Sequence, residues 1–211
     1  RSTAWALVSA LEAHQSPFAI IENVEDFMAW SLYPAWEFAM KSLGYSLSVN
    51  FLNAKDFGVP QNRARVYIVA TRSKNPIKLN FVKQAPVPAR TIIDTNFEGH
   101  EWQFVKDRVA KTQQRVRNGR LKFDGPFLDA AYGTEVGGRS LDKPIGTITT
   151  INKHSVVIGE YIRPITIKEA AAAQSFPDDY KFPALKTITK ELIGNANPPK
   201  MAEEVTRALL A

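Results

Sequence analysis

No cysteine occurs among the 211 residues of this chain. Disulfides, thiolate metal sites and a cysteine nucleophile are therefore excluded within it. Long apolar runs are missing too. No stretch approaches the ~18 residues of a membrane span, so no membrane partner is expected. Histidine is scarce, and His14, His100 and His154 are scattered without metal-ligand spacing, so no metal is expected. Internal repeats and low-complexity tracts are absent. The first residues are Arg1-Ser2-Thr3, and the first apolar stretch, Ala4 to Leu11, has the pattern of a helix rather than a signal peptide. The chain is expected to begin inside a longer protein or to be one piece of it.

What is present is a composition 45% hydrophobic and 23% charged, enough to bury a sizeable core in one or two domains. Residues 1–72 alternate helix and strand. Ser2 or Thr3 caps a helix through His14, and Phe18-Ala19-Ile20-Ile21 is a short apolar run of the kind buried in a parallel sheet. It ends at Glu22, a carboxylate at a strand's carboxyl end, where open α/β sheets bind their ligands. A helix from Pro34 to Leu43 stops at Gly44, and strands over Tyr45 to Leu52 and Arg65 to Thr71 flank a loop. Trp30 and Trp36 read as core or lid packing rather than as stacking platforms.

Residues 73–160 differ in texture. Prolines are frequent, and glycines cluster at Gly133, Gly137 and Gly138. Apolar spacing predicts an amphipathic helix from Glu101 to Asn118, ended by Asn118-Gly119, and strands over Gly146 to Ile151 and Ser155 to Ile158. Between Lys106 and Lys122 stand seven basic residues and one acid, an excess equal to the whole chain's net charge of +6. Such a stretch suits a polyanion, and a solvated helix face is the other reading. From residue 161 the α/β texture returns. Thr166 with Glu169 has capping-box spacing before the alanine-rich helix Ile167 to Gln174, and Pro198-Pro199 opens a last helix toward Leu210. The layout is α/β, one domain interrupted by a small, loop-rich one: 1–72, 73–160 and 161–211.

Three stretches carry chemistry in their order: Glu22-Asn23-Val24, Gln61-Asn62-Arg63-Ala64-Arg65 within Asn53 to Arg65, and Ile193-Gly194-Asn195-Ala196-Asn197-Pro198-Pro199. Taken singly, a capped turn, a strand with one solvent face and a helix-start turn explain them as well. Taken together, and with Arg163 to Asp178 between the second and third, they resemble motifs six to ten of the cytosine-C5 DNA methyltransferases. The region between the eighth and ninth motifs lies where that family places its target recognition domain. The family's cofactor-binding glycine motif, ribose-binding acid and proline-cysteine dipeptide would all precede Glu22, and none is here. Asn197 stands where the family usually has valine.

The resemblance implies the carboxyl-terminal part of a Rossmann-like, S-adenosylmethionine-dependent methyltransferase domain acting on a flipped-out cytosine in double-stranded DNA. Glu22 would meet N3 of the ring, Arg65 its O2, and Arg63 would orient the carboxylate or the cysteine loop. Asn195, Ala196 and Asn197 would lie beside the amino-acid part of S-adenosylmethionine. Lys111, Arg115 and Arg117 would contact phosphates, and loops from Tyr132 to Arg139 would read base edges. Thr147 resembles a threonine set near the flipped nucleotide's backbone; an ordinary β-branched strand residue is the alternative. The nucleophile would come from an amino-terminal half, in the same chain or a separate subunit. The implied compartment is cytoplasmic for a prokaryotic or phage protein and nuclear for a eukaryotic one. A catalytically inactive DNA-binding regulatory subunit and an RNA cytosine-C5 methyltransferase are the alternative functions.

Overall fold

The computed structural model describes residues 2–132 and 136–211. They form two compact units. The first comprises Arg1–Asn53, Ala64–Lys83 and Ala202–Ala211; the second comprises Ala54–Arg63 and Gln84–Met201. Compactness thus groups 161–201 with the middle of the chain. Among the described residues no helix is long and apolar enough to cross a membrane.

In the first unit, helix α1 (Ser2–His14) leads to strand β1 (Phe18–Asn23), then helix α2 (Tyr33–Ser42) and strands β2 (Ser46–Asn53) and β3 (Ala64–Thr71). Helix α2 takes Pro34 in its first turn and ends before Gly44, whose φ of +86° suits a residue without Cβ. The sheet has the order β1-β3-β2, antiparallel throughout. This corrects the expectation of a parallel, fully buried β1. Among the described residues β1 pairs with β3 alone, and Phe18 is 42% exposed.

Strand alternation puts Ala19, Ile21, Leu47, Val66, Ile68 and Ala70 on one face, and these belong to a core shared with α1 and α2. At its centre Phe27 packs within 5.7 Å of the rings of Trp30, Tyr33 and Trp36. Trp36 is fully buried, and its indole N–H donates to the Ala4 carbonyl at 3.0 Å. Both tryptophans expected in core or lid packing lie in the core, with Trp30 at 8% exposure.

The second unit holds strands β4 (Gln103–Phe104), β5 (Phe127–Ala130), β6 (Arg139–Ser140), β7 (His154–Ile158) and β8 (Tyr161–Pro164) in an antiparallel sheet of order β4-β8-β7-β5-β6. Helices α3 (Ala110–Arg120), α4 (Ile167–Ala173) and α5 (Lys186–Asn195) belong to it, and α6 (Pro199–Leu210) follows.

Three expectations fail here. The helix predicted over 101–118 begins only at Ala110, because Gln103 and Phe104 pair with Ile162 and Tyr161 of β8 and a 3-10 turn follows. It also runs past Gly119, which is not a terminator: a Cβ there would lie 2.4 Å from the Phe127 ring, so glycine provides clearance. Gly146 to Ile151 makes no strand; beside it is a single bridge from Ile145 to Gln61.

Candidate active site

Glu22 is the fifth residue of β1 and stands opposite Tyr67 of β3. Arg65 lies two residues before Tyr67 on the same face, the diagonal position that long side chains bridge. The Arg65 Nε is 2.9 Å from Glu22 Oε1, and the side chains are 15% and 23% exposed. Arg65 Nη1 also donates to the Ala64 carbonyl at 2.7 Å, which fixes the guanidinium plane. The ion pair is close but off the axis of a hydrogen bond. Glu22 Oε1 is buried with no hydrogen-bond donor among the described residues. A carboxylate oxygen held beside a fixed cation, its own hydrogen bond unmade, can accept a hydrogen bond from a ligand or, once protonated, donate one. The structure thus brings these two sequence-predicted residues together.

Arg63 belongs to the second unit and is 3% exposed. Its Nη1 donates to the Ile148 carbonyl at 3.0 Å, and its Nη2 to the carbonyls of Gly194 at 3.3 Å and Ala196 at 3.1 Å. Nearby, the Thr147 hydroxyl donates to the Asn62 carbonyl at 2.9 Å. Gln61 and Gln174, both fully buried, join the same network.

Gly194 and Asn195 form the last turn of α5, a helix that sequence reasoning read only as a turn. Ala196 follows in extended conformation, with its N–H on the Ile193 carbonyl and its own carbonyl on Arg63. Both backbone groups of Ala196 are therefore engaged within the protein. Asn195 is exposed and Asn197 half-buried. The turn is small and polar.

Among the basic residues, Lys111 and Arg117 are exposed on α3. Arg115 is not, and this corrects its assignment to phosphate. Its guanidinium donates to both carboxylate oxygens of Asp129 at 2.9 Å and to Thr112 at 3.1 Å, with 8% exposure. Arg120 pairs with Glu160 at 3.0 Å.

Arg139 lines an open groove of about 760 Å³ together with Lys55, Asn62, Phe123 and Lys143. A Cβ at Gly146 would lie 2.6 Å from Arg139 Nη1 and 3.0 Å from His154 Nε2, so glycine leaves room for both side chains beside the backbone before Thr147. Tyr132 bridges this segment, its hydroxyl 3.3 Å from His154 Nδ1 and 3.4 Å from Thr149 Oγ1. Burial, with the Arg139 charge nearby, holds the His154 pKa down at about 4. Residues 133–135 of the loop expected to read base edges lie outside the described residues.

Sequence reasoning recognised the Thr166–Glu169 capping box, which is present, but missed what Glu169 does besides. It takes two hydrogen bonds from Arg163, at 2.9 and 2.7 Å, and one from the Asp94 amide at 2.8 Å. Burial works to raise its pKa, but the bonds from Arg163 and the backbone outweigh that and hold it below the usual carboxylate value. The spacing of Arg163 and Glu169 on either side of a helix start was the available signal.

The fold is shared with solved methyltransferases. One from Entamoeba histolytica superposes with a TM-score of 0.67 at 12% identity, over 98% of this chain and 68% of that one. A DNA modification methyltransferase encoded within an E. coli prophage gives 0.63 at 20% identity, over 96% of this chain and 71% of that one. The fold is therefore Rossmann-like and of the methyltransferase type. The family model of the C-5 cytosine-specific DNA methylases matches residues 1–211, and the chain belongs to that family. Type II methyltransferase M1.HphI of Haemophilus parahaemolyticus is 29% identical over 188 residues, 80% of this chain and 49% of its own length. Type II methyltransferase M.MthTI of Methanothermobacter thermautotrophicus is 26% identical over 233 aligned positions, 98% of this chain and 70% of its own length. The chain thus spans from half to seven-tenths of these relatives.

Proposed function

We propose that this chain is the base-stabilising and DNA-recognising portion of a DNA (cytosine-5)-methyltransferase. The thiolate nucleophile belongs to an amino-terminal portion, in the same chain or a partner. The observation that carries this reading is the Glu22–Arg65 pair, a carboxyl group and a guanidinium 2.9 Å apart on one sheet face.

Carbon 5 of cytosine is a poor nucleophile while its ring is aromatic. A thiolate adding at carbon 6 breaks the aromaticity and drives negative charge toward N3 and O2. Glu22 holds that charge at N3 through a proton or strong hydrogen bond, and Arg65 meets O2 with a permanent positive charge. Arg63 is anchored on three carbonyls of its own unit. S-adenosylmethionine supplies the methyl group; Asn195 and Asn197 hold its amino-acid end. Loss of the proton from carbon 5 then expels the thiolate and restores the ring.

Residues 73–160 act as the target recognition domain. The cytosine must leave the duplex for this chemistry, and Lys111 and Arg117 hold the backbone while Arg139 reads base edges and Thr147 lies near the displaced nucleotide's backbone. In the assembled enzyme, Glu22→Gln is expected to slow single-turnover methyl transfer by about 10²-fold or more, with DNA binding retained. Unchanged turnover would remove Glu22 from the mechanism.

A further inference from the structure

In the second unit, four aromatic rings run in one continuous strip that the chemistry above does not use. Phe104 of β4 stands directly opposite Tyr161 of β8, with their ring centroids 4.8 Å apart. Phe97 meets Tyr161 edge-on at 5.2 Å and lies 4.8 Å from Trp102. The Trp102 end is anchored. It packs on the apolar core of this unit, its ring centroid is 5.2 Å from the buried Arg163 guanidinium, and its indole N–H donates to the Asn96 carbonyl at 3.3 Å. The outer rings are not covered: Phe97 is 48% exposed and Phe104 42%. Single exposed apolar residues need no explanation, but packed rings that share an open surface form a patch that marks an interaction site.

Charge decides what this patch fits. Lys106 Nζ sits 4.9 Å from the Phe104 ring centroid. Arg108, which donates to Gln103 of β4 at 2.7 Å, and Lys111 are exposed in the same stretch, against one exposed acid, Asp107. Glu160, next to Tyr161, is already paired with Arg120 at 3.0 Å. The exposed acids Glu98 and Glu101 adjoin Phe97 and Trp102 in the chain, so an anion is favoured at the Phe104 end. Flat rings beside mobile cations match unpaired nucleotides, whose bases stack on aromatic faces while their phosphates meet lysine and arginine. A duplex hides its base faces, and an apolar peptide leaves the cations without a counterpart.

We propose that this strip is a docking surface for single-stranded DNA, with bases stacked on Phe97 and Phe104 and a phosphate held by Lys106. The Lys106 side chain is long and exposed, so it can yield the Phe104 face to a base and turn to the phosphate beside it. The proposal goes beyond the methyl-transfer reading and does not depend on it, since neither Glu22 nor Arg65 takes part.

The test is fluorescence anisotropy of the assembled methyltransferase with a short labelled oligothymidine, an abasic deoxyribose-phosphate oligomer of equal length, and a duplex. Phe97→Leu combined with Phe104→Leu keeps apolar cover over Tyr161 but removes the aromatic faces. This double variant is expected to bind oligothymidine about tenfold or more weakly. Its affinity for the abasic oligomer and the duplex, its rate of methyl transfer to duplex and its thermal stability should not change. A measurement on the unaltered enzyme supports the same conclusion without that variant: oligothymidine should quench tryptophan emission, and Trp102→Phe should remove most of the quenching. Unchanged oligothymidine affinity in the folded double variant would overturn the proposal, as would an equal loss on the abasic oligomer, which reports charge rather than stacking. A dimer that the double variant dissociates in sedimentation would give the strip to a second copy of the chain instead, and tighter binding of oligouridine than of oligodeoxyuridine would give it to RNA. Failure of methyl transfer in the unaltered enzyme would overturn the earlier reading and leave this one standing.

Discussion

At the scale of single residues, burial decides what a polar side chain can do. His154 is 1% exposed, with Arg139 beside it, and its pKa is held at about 4 against 6.5 for a free imidazole. The sign follows directly. Between pH 6.5 and 4 the unfolded chain binds a proton that the folded chain refuses, so stability falls as pH falls through that window and is complete above it. The expected loss is about 2 kcal/mol by pH 5. Urea unfolding at pH 7 and pH 5 measures it, and His154→Gln should flatten that part of the slope. The contribution of Glu169, held below its usual value, is lost only at lower pH, so the two effects separate.

Glu22 and Arg65, read from sequence as neighbours in one site, do come together, because they fall at a diagonal of one antiparallel register. They misled for Arg115, since a count of charges carries no direction. Its partner Asp129 sits on another element, in a β5 whose four residues are all buried, and nothing local announces the pairing.

At the scale of elements, local pattern succeeded where an element's reasons are local. The capping box of α4, the proline at the start of α2 and the apolar runs of β2 and β3 all lie within the segments they shape. It failed where the reason is remote. Gln103 and Phe104 have helical spacing but pair with a strand nearly sixty residues downstream, and hydrogen bonds across that distance override propensity. Helix α5 was missed because its exposed face carries Ile188 and Leu192 while Thr189 is buried, which blurs the amphipathic signal.

Gly119 separates these influences experimentally. Alanine is the better helix former by about 1 kcal/mol, yet its Cβ would meet the buried Phe127 ring. Gly119→Ala is expected to destabilise the protein by about 1–3 kcal/mol in denaturant unfolding. A gain in stability would show that Phe127 can move aside.

At the scale of the whole molecule, the basic stretch around α3 divides into structural and exposed cations, and the two should answer differently to mutation. Lys111→Ala with Arg117→Ala removes exposed charge only. DNA binding is expected to weaken alike for all sequences, and the slope of log affinity against log salt to fall by about 2, with thermal stability unchanged. Arg115→Ala instead strands the Asp129 carboxylate in the interior, at a cost of about 3–5 kcal/mol of stability. Salt titration of DNA binding and thermal unfolding of the two variants distinguish the roles; a salt slope unchanged in the double variant would remove α3 from the DNA interface.

The proposed reaction needs a sulfur nucleophile from sequence outside these 211 residues, which contain no cysteine. Covalent trapping on duplex DNA carrying 5-fluorocytosine in place of cytosine, with S-adenosylmethionine present, tests this directly. An adduct should form when this chain is mixed with the amino-terminal portion of its enzyme, and not with either alone. An adduct with this chain alone, or none with the mixture, would contradict it.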